Sequence, residues 1–122
     1  MFTMNGLPYV LGDATLNFSK DVLKFCKEIQ ATVITRPLID QLVRSATSIG
    51  ANYAEANNAA SRNDFRNKIF IAKKETAETK YWISLLEDFC EDKDTALRLK
   101  VESQHLLMIF QKIISTLRAT SA

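Results

Sequence analysis

The sequence predicts an all-α protein, an antiparallel up-down-up-down four-helix bundle. Three observations carry that expectation. Four segments repeat apolar residues at spacings of three and four, the pitch of one helix face. The links between them are short and polar, which favours packing of consecutive neighbours. Only three glycines and two prolines interrupt 122 residues, too few for a turn-rich β fold.

The first helix is expected from Ala14 to Val33, with Asp13 as its N-cap. Phe18, Val22, Phe25, Ile29 and Val33 share one face. Thr35-Arg36-Pro37 breaks the pattern, and Pro37 suits the first turn of a second helix, Pro37 to Asn58. Leu38, Leu42, Ser45, Ile49, Asn52 and Ala56 form its main stripe. Thr47, Gly50, Ala51 and Ala54 give a second face of small side chains that lets another helix backbone approach. After the link Ala60-Ser61-Arg62-Asn63, the third helix runs from Asn63 to Cys90. One side carries Phe65, Ile69, Ala72, Thr76, Ile83 and Leu86, another Phe70, Ile71, Tyr81, Trp82, Leu85 and Phe89. Glu91-Asp92-Lys93-Asp94 reads as a turn in which Asp92 or Asp94 caps a fourth helix, Thr95 to Ala119. There Leu99, Leu106 and Ile113 recur every seven residues, joined by Phe110 and Leu117, as in a bundle seam. Val101 and Met108 repeat on a different side.

One domain, residues 1–122 with 1–12 as an N-terminal extension, accounts for this length. The apolar fraction is 47% and the charged fraction 25%, ordinary globular values. Met1 to Gly12 shows no basic region followed by an apolar run, and no stretch approaches a membrane span. The expectation is a cytoplasmic protein without a membrane partner. Cys26 and Cys90, far apart and set among apolar residues, read as reduced buried thiols.

The third and fourth helices carry more apolar surface than one stripe each, and surplus apolar surface marks an interface. Phe70, Trp82, Phe89, Val101 and Met108 are the candidates for a surface where copies of the chain meet. The formal charge of +2 is too small to indicate a polyanion partner, so only its distribution can. Arg66, Lys73 and Lys80 stand seven apart on the third helix, Arg62 projects to nearly the same side, and that strip meets no acid until Glu87. Such a strip suits a phosphate backbone, RNA or DNA; it equally suits a merely solvated face.

On the second helix, Ser45 and Asn52 lie close to the core stripe, and Arg44, Ser48 and Glu55 flank it. Buried polar groups need partners, so a structural network to the third helix, through Lys74 or Glu78, is expected to fix helix pairing. Asn52→Leu or Glu55→Leu is then expected to disturb the protein more than a surface change. Catalysis is the least favoured class. The only histidine is His105; no metal-ligand spacing and no glycine-rich phosphate loop occurs, so no metal or cofactor is expected. Glu55 is the sole catalytic candidate and has weak support.

Gln41 to Asn57 (QLVRSATSIGANYAEAN), Phe65-Arg66-Asn67-Lys68-Ile69, Ile71-Ala72-Lys73-Lys74-Glu75, Glu78-Thr79-Lys80-Tyr81-Trp82 and Leu85-Leu86 are more specific. Together they resemble a family of bacterial four-helix bundle proteins that includes those encoded in intervening sequences of large-subunit ribosomal RNA genes. The close match spans roughly Leu38 to Leu86. Ala56 and Lys74-Glu75 stand where some branches have Gly and Gly-Ser. The resemblance implies an antiparallel bundle that assembles into a homopentameric ring. It also implies similarity to the accessory variability protein of diversity-generating retroelements, which works with a reverse transcriptase and RNA. The function expected is therefore a non-catalytic, self-assembling bundle that binds RNA through basic strips; the alternative is a scaffold for a protein partner.

Overall fold

The computed structural model describes residues 10–119. Helices α1 (Leu11–Lys27), α2 (Thr35–Asn57), α3 (Arg62–Leu86) and α4 (Lys93–Ala119) follow one another, with a single 3-10 turn at Glu87–Phe89. Residues 11 and 12, expected in an extension, are already helical; the extension's residues 1–9 lie outside the described residues. The bundle is all-α and antiparallel. α2 packs most extensively on α3, then α3 on α4 and α1 on α2, while α1 meets α4 along a thinner contact.

Local chemistry sets the helix ends. Val10 precedes α1 without a side-chain cap, and its carbonyl accepts from Ala14 N–H at 2.9 Å. Asp13 therefore does not cap the helix; it lies in the first turn, where its charge complements the helix dipole. α1 stops at Lys27, well short of Val33. The reason lies in two threonines. Thr35 Oγ1 accepts from Thr32 N–H at 2.8 Å, and Thr32 Oγ1 accepts from Thr35 N–H at 3.1 Å. The Thr35 hydroxyl also sits 2.7 Å from the Gln30 carbonyl. These hydroxyls offer the backbone partners that a continued helix would have supplied. Val33, placed on the core face by periodicity, is instead 86% exposed. α2 starts at Thr35, so Pro37 falls in its first turn, where no N–H is required.

Ser61 caps α3 by accepting from Asp64 N–H at 3.1 Å. α3 ends at Leu86, and the last expected residues of that helix tighten into the 3-10 turn. Asp92, rather than Asp94, caps α4: its Oδ1 accepts from Thr95 N–H at 3.0 Å and its Oδ2 from the Thr95 hydroxyl at 2.5 Å. Those bonds stabilise the ionised carboxylate and hold the Asp92 pKa below its ordinary value.

The interior is built as the periodicity indicated. Phe18 and Val22 of α1, Leu42 and Ile49 of α2, Ile69 and Ile83 of α3, and Leu99, Phe110 and Ile114 of α4 are essentially inaccessible to water. Each such side chain contributes about 1.5–3 kcal/mol of transfer free energy. Tyr53 tilts against Phe110, ring centroids 6.3 Å apart. Gly50 brings α1 close: a Cβ there would stand 3.2 Å from Thr15 Oγ1. Among the described residues, no helix is long and apolar enough to cross a membrane.

Candidate nucleic-acid interface and the polar seams of α3

α3 faces α2 along one flank and α4 along the other, and the two flanks handle charge differently. Towards α2, cations meet carboxylates. Arg44 Nη1 lies 2.6 Å from Glu75 Oε2, and its Nη2 lies 2.5 Å from Glu78 Oε1. Gln41 Oε1 accepts from Arg44 Nε at 3.1 Å. The hydrogen bond to Glu75, together with the charges of both acids, raises the Arg44 pKa further. Glu75 is almost wholly buried, and that guanidinium is its ion-pair partner. Deeper in the same seam, Ser45 Oγ and Thr79 Oγ1 sit 2.9 Å apart with no exposure to water.

The expected network is thus only partly the one that forms. Arg44 and Ser45 reach α3, and Glu78 is one of their partners; Lys74 is exposed and Glu75 takes its place. Ser48 and Asn52 turn back onto α2, donating to the carbonyls of Arg44 at 2.7 Å and Ser48 at 2.8 Å. Glu55 is outside the buried network: its side chain is 58% exposed and pairs at the surface with Lys68 at 3.1 Å. The signal for Glu75 was available, since it stands on the buried side of α3 beside Ala72, Thr76 and Thr79.

Towards α4, the cations of the strip meet neutral groups. Lys73 Nζ donates to Gln111 Oε1 at 2.5 Å, and Lys80 Nζ donates to Gln104 Oε1 at 2.9 Å. Arg62 Nη2 donates to the Leu117 carbonyl at 2.7 Å. The Arg66 guanidinium lies 5.9 Å from the Phe70 ring centre, with Arg118 at 5.7 Å from the same ring. Among the described residues, no carboxylate forms an ion pair with Arg66, Lys73 or Lys80. Arg66 Nε is buried without a hydrogen-bond acceptor. The strip ends at Glu87, which Lys100 neutralises at 2.8 Å. From Arg62 to Lys80 it extends about 27 Å at 1.5 Å per residue.

Of the residues expected at an interface between copies, Phe70 and Trp82 are partly buried against the core, and Trp82 Nε1 is directed at Glu78 Oε1, 3.4 Å away. Phe89, Val101 and Met108 remain exposed. Leu97, which periodicity did not single out, joins Val101 and Met108 on the outer side of α4. Cys26 and Cys90 are buried and unpaired, and burial pushes the Cys26 thiol up to about 11 and the Cys90 thiol upward as well. His105 is exposed on α4, beside a cleft that Asp21 and Asn17 of α1 also line. Among the described residues, no group of three or more His, Cys, Asp or Glu could hold a metal ion.

A family model described as 23S rRNA-intervening sequence protein matches residues 13–111. The fold is similar to a crystal structure from Bacteroides thetaiotaomicron, a protein of unknown function from the S23 ribosomal protein family. That chain is 33% identical, with a TM-score of 0.73, and the similarity covers 86% of this chain and 98% of that one. No curated protein matches the sequence. With four-fifths of its length matched by the family model and its bundle shared with a relative of one-third identity, the chain belongs to the 23S rRNA-intervening sequence protein family.

Proposed function

We propose that this protein is a non-catalytic, self-assembling adaptor, a single bundle domain that binds RNA through phosphate contacts from Arg62, Arg66, Lys73 and Lys80. One observation carries the reading. Arg44 and Lys68, on the α2 side of the bundle, sit against carboxylates, whereas Lys73 and Lys80 are held by glutamine amides. An amide oxygen positions an ammonium without cancelling its charge, so the α3–α4 seam presents positioned, uncompensated cations. Positioned cations bind a polyanion by releasing its condensed counterions and carry no base specificity of their own. RNA is favoured over DNA by the family's link to ribosomal RNA genes. Buried thiols fit a reducing, cytoplasmic setting. A few cations per copy bind weakly, and several copies in one assembly multiply them.

The test is binding of nuclease-treated protein to RNA and to DNA across a salt series, beside a variant with Arg66, Lys73 and Lys80 changed to Gln. The expected result is affinity that falls linearly in log–log form with salt, RNA bound at least as tightly as DNA, and a slope reduced by about one per cation removed. Absence of binding at low salt, or a variant that binds as the parent does, overturns the reading and directs attention to protein partners.

A further inference from the structure

Among the described residues two aromatic rings stand in water, Tyr81 at 57% and Phe89 at 49% exposure. Their surroundings differ in charge. Phe89 is set among Glu87, Asp88 and Glu91, which repel a polyanion. Tyr81 follows Lys80 directly and comes one heptad after the exposed Lys74, itself preceded by Lys73. The nearest acid in sequence, Glu78, is already held by Arg44. Asp88 lies beyond the end of α3. The Tyr81 ring is also held from beneath. It meets the Trp82 ring edge to face, with centroids 5.1 Å apart and planes at 70°. Trp82 packs on the core and directs its Nε1–H at Glu78 Oε1, 3.4 Å away. Ala77, exposed and one turn before Tyr81, puts only a methyl on the side towards which helical side chains lean.

We propose that Tyr81 is a stacking platform for an unpaired base, so that the protein takes single-stranded RNA in preference to duplex; this rests on the reading of Arg62, Arg66, Lys73 and Lys80 as phosphate contacts and names the form of RNA they receive. Stacking on an aromatic side chain needs the face of a base. In a duplex both faces of each base are covered by neighbouring pairs, and a convex helix surface reaches only phosphates and groove edges. A single strand can turn a base onto the ring while its phosphates lie along the lysines. Lys73 and Lys80 are about 10 Å apart along α3, and Tyr81 is level with the second of them. One helix thus carries both parts of single-strand recognition, an electrostatic track and a base platform. A tyrosine ring turns about two torsions only, and contact with Trp82 restricts it before any base arrives. The platform reads no base identity, because every base has a π face.

The experiment measures binding of oligo(A) RNA, a fully paired RNA duplex and inorganic polyphosphate to the parent, Tyr81→Ala and Tyr81→Phe proteins across a salt series, with folding checked by circular dichroism. Trp82 is the chain's only tryptophan, so its fluorescence reports a base arriving at the neighbouring ring. The parent is expected to bind the single strand more tightly than the duplex, and to change its tryptophan emission with the single strand alone. Tyr81→Ala is expected to weaken single-strand binding by about 5- to 150-fold, the range for loss of one base–aromatic stack. Its duplex and polyphosphate binding and its salt slope are expected to stay as in the parent, since no charge is removed. Tyr81→Phe keeps the ring and is expected to bind as the parent does. A Tyr81→Ala protein that binds the single strand like the parent, or that loses polyphosphate to the same degree, overturns the stacking role while the phosphate contacts stand; the exposed ring is then left to a protein contact. Absence of binding to all three probes at low salt overturns both readings.

Discussion

The pair between Arg44 and Glu75 offers the sharpest test of how α2 and α3 are held in register. Glu75 is almost fully buried, and its carboxylate lies 2.6 Å from one Arg44 nitrogen. Removing one partner of a buried ion pair costs about 3–5 kcal/mol, because the other charge stays behind in low dielectric. Here the Arg44 side chain is 47% exposed, so water reaches its outer end and part of that cost is screened. Arg44→Ala should therefore cost about 2–3 kcal/mol. For 122 residues, with an unfolding entropy near 2.1 cal/mol/K per residue, that is a fall of about 10 °C in Tm. Glu75→Gln keeps a hydrogen-bond acceptor for Arg44 and should cost about 1 kcal/mol. Replacing both by apolar residues of similar volume, Arg44→Leu with Glu75→Met, should return stability to within about 1 kcal/mol of the parent. Chemical denaturation of the parent, the single variants and the double variant, read as a mutant cycle, measures the coupling. An Arg44→Ala protein within 0.5 kcal/mol of the parent, roughly the resolution of such cycles, would mean that Glu75 is solvated and the reasoning wrong.

Two further outcomes follow from the same seam and from the thiols. Thr79→Val removes a fully buried hydroxyl from Ser45 and should cost about 1–2 kcal/mol, whereas Glu55→Leu breaks only a surface pair and should cost less than about 0.5 kcal/mol; equilibrium unfolding of both would show the order, and a larger loss at Glu55 would contradict the placement of the two residues. In alkali, the folded protein keeps the Cys26 proton up to about pH 11 while the unfolded chain releases it near 9. The contribution of the buried thiol is complete below pH 9 and disappears as pH rises through that window, by up to about 3 kcal/mol. A Cys26→Ala variant should lose stability less steeply between pH 9 and 11; parallel curves for the two proteins would exclude this origin.

Helical periodicity made most of the fold legible, because apolar residues such as Phe18, Leu42, Ile83 and Leu99 recur on the one face of each helix that the bundle buries. It failed where polar side chains compete with the backbone. Val33 keeps step with the α1 stripe, yet the crossed hydroxyls of Thr32 and Thr35 end the helix before it. It also failed for Glu75, whose position among buried residues is visible on a helical wheel but whose charge argues for the surface until Arg44 is placed opposite. Glu55 shows the reverse error: it neighbours the polar residues of α2 in sequence but turns outward to Lys68. The basic strip was readable as a line of cations on one helix. What holds those cations was not, since the pairing of Lys73 with Gln111 and of Lys80 with Gln104 depends on the register of α3 against α4.

Those two lysine–glutamine clasps have a kinetic meaning. A free lysine carries about 2 kcal/mol of rotamer entropy, which it must give up when it settles on a single anion. Lys73 and Lys80 surrender part of that freedom during folding, so under the proposed function an arriving phosphate would meet ammoniums already localised about 10 Å apart along α3. Exchange of an amide oxygen for a phosphate oxygen needs only a short swing of the side chain and leaves the helix undisturbed. If the strip binds RNA as proposed, capture is set by electrostatic steering rather than by rearrangement of the protein, and release follows as readily when salt competes.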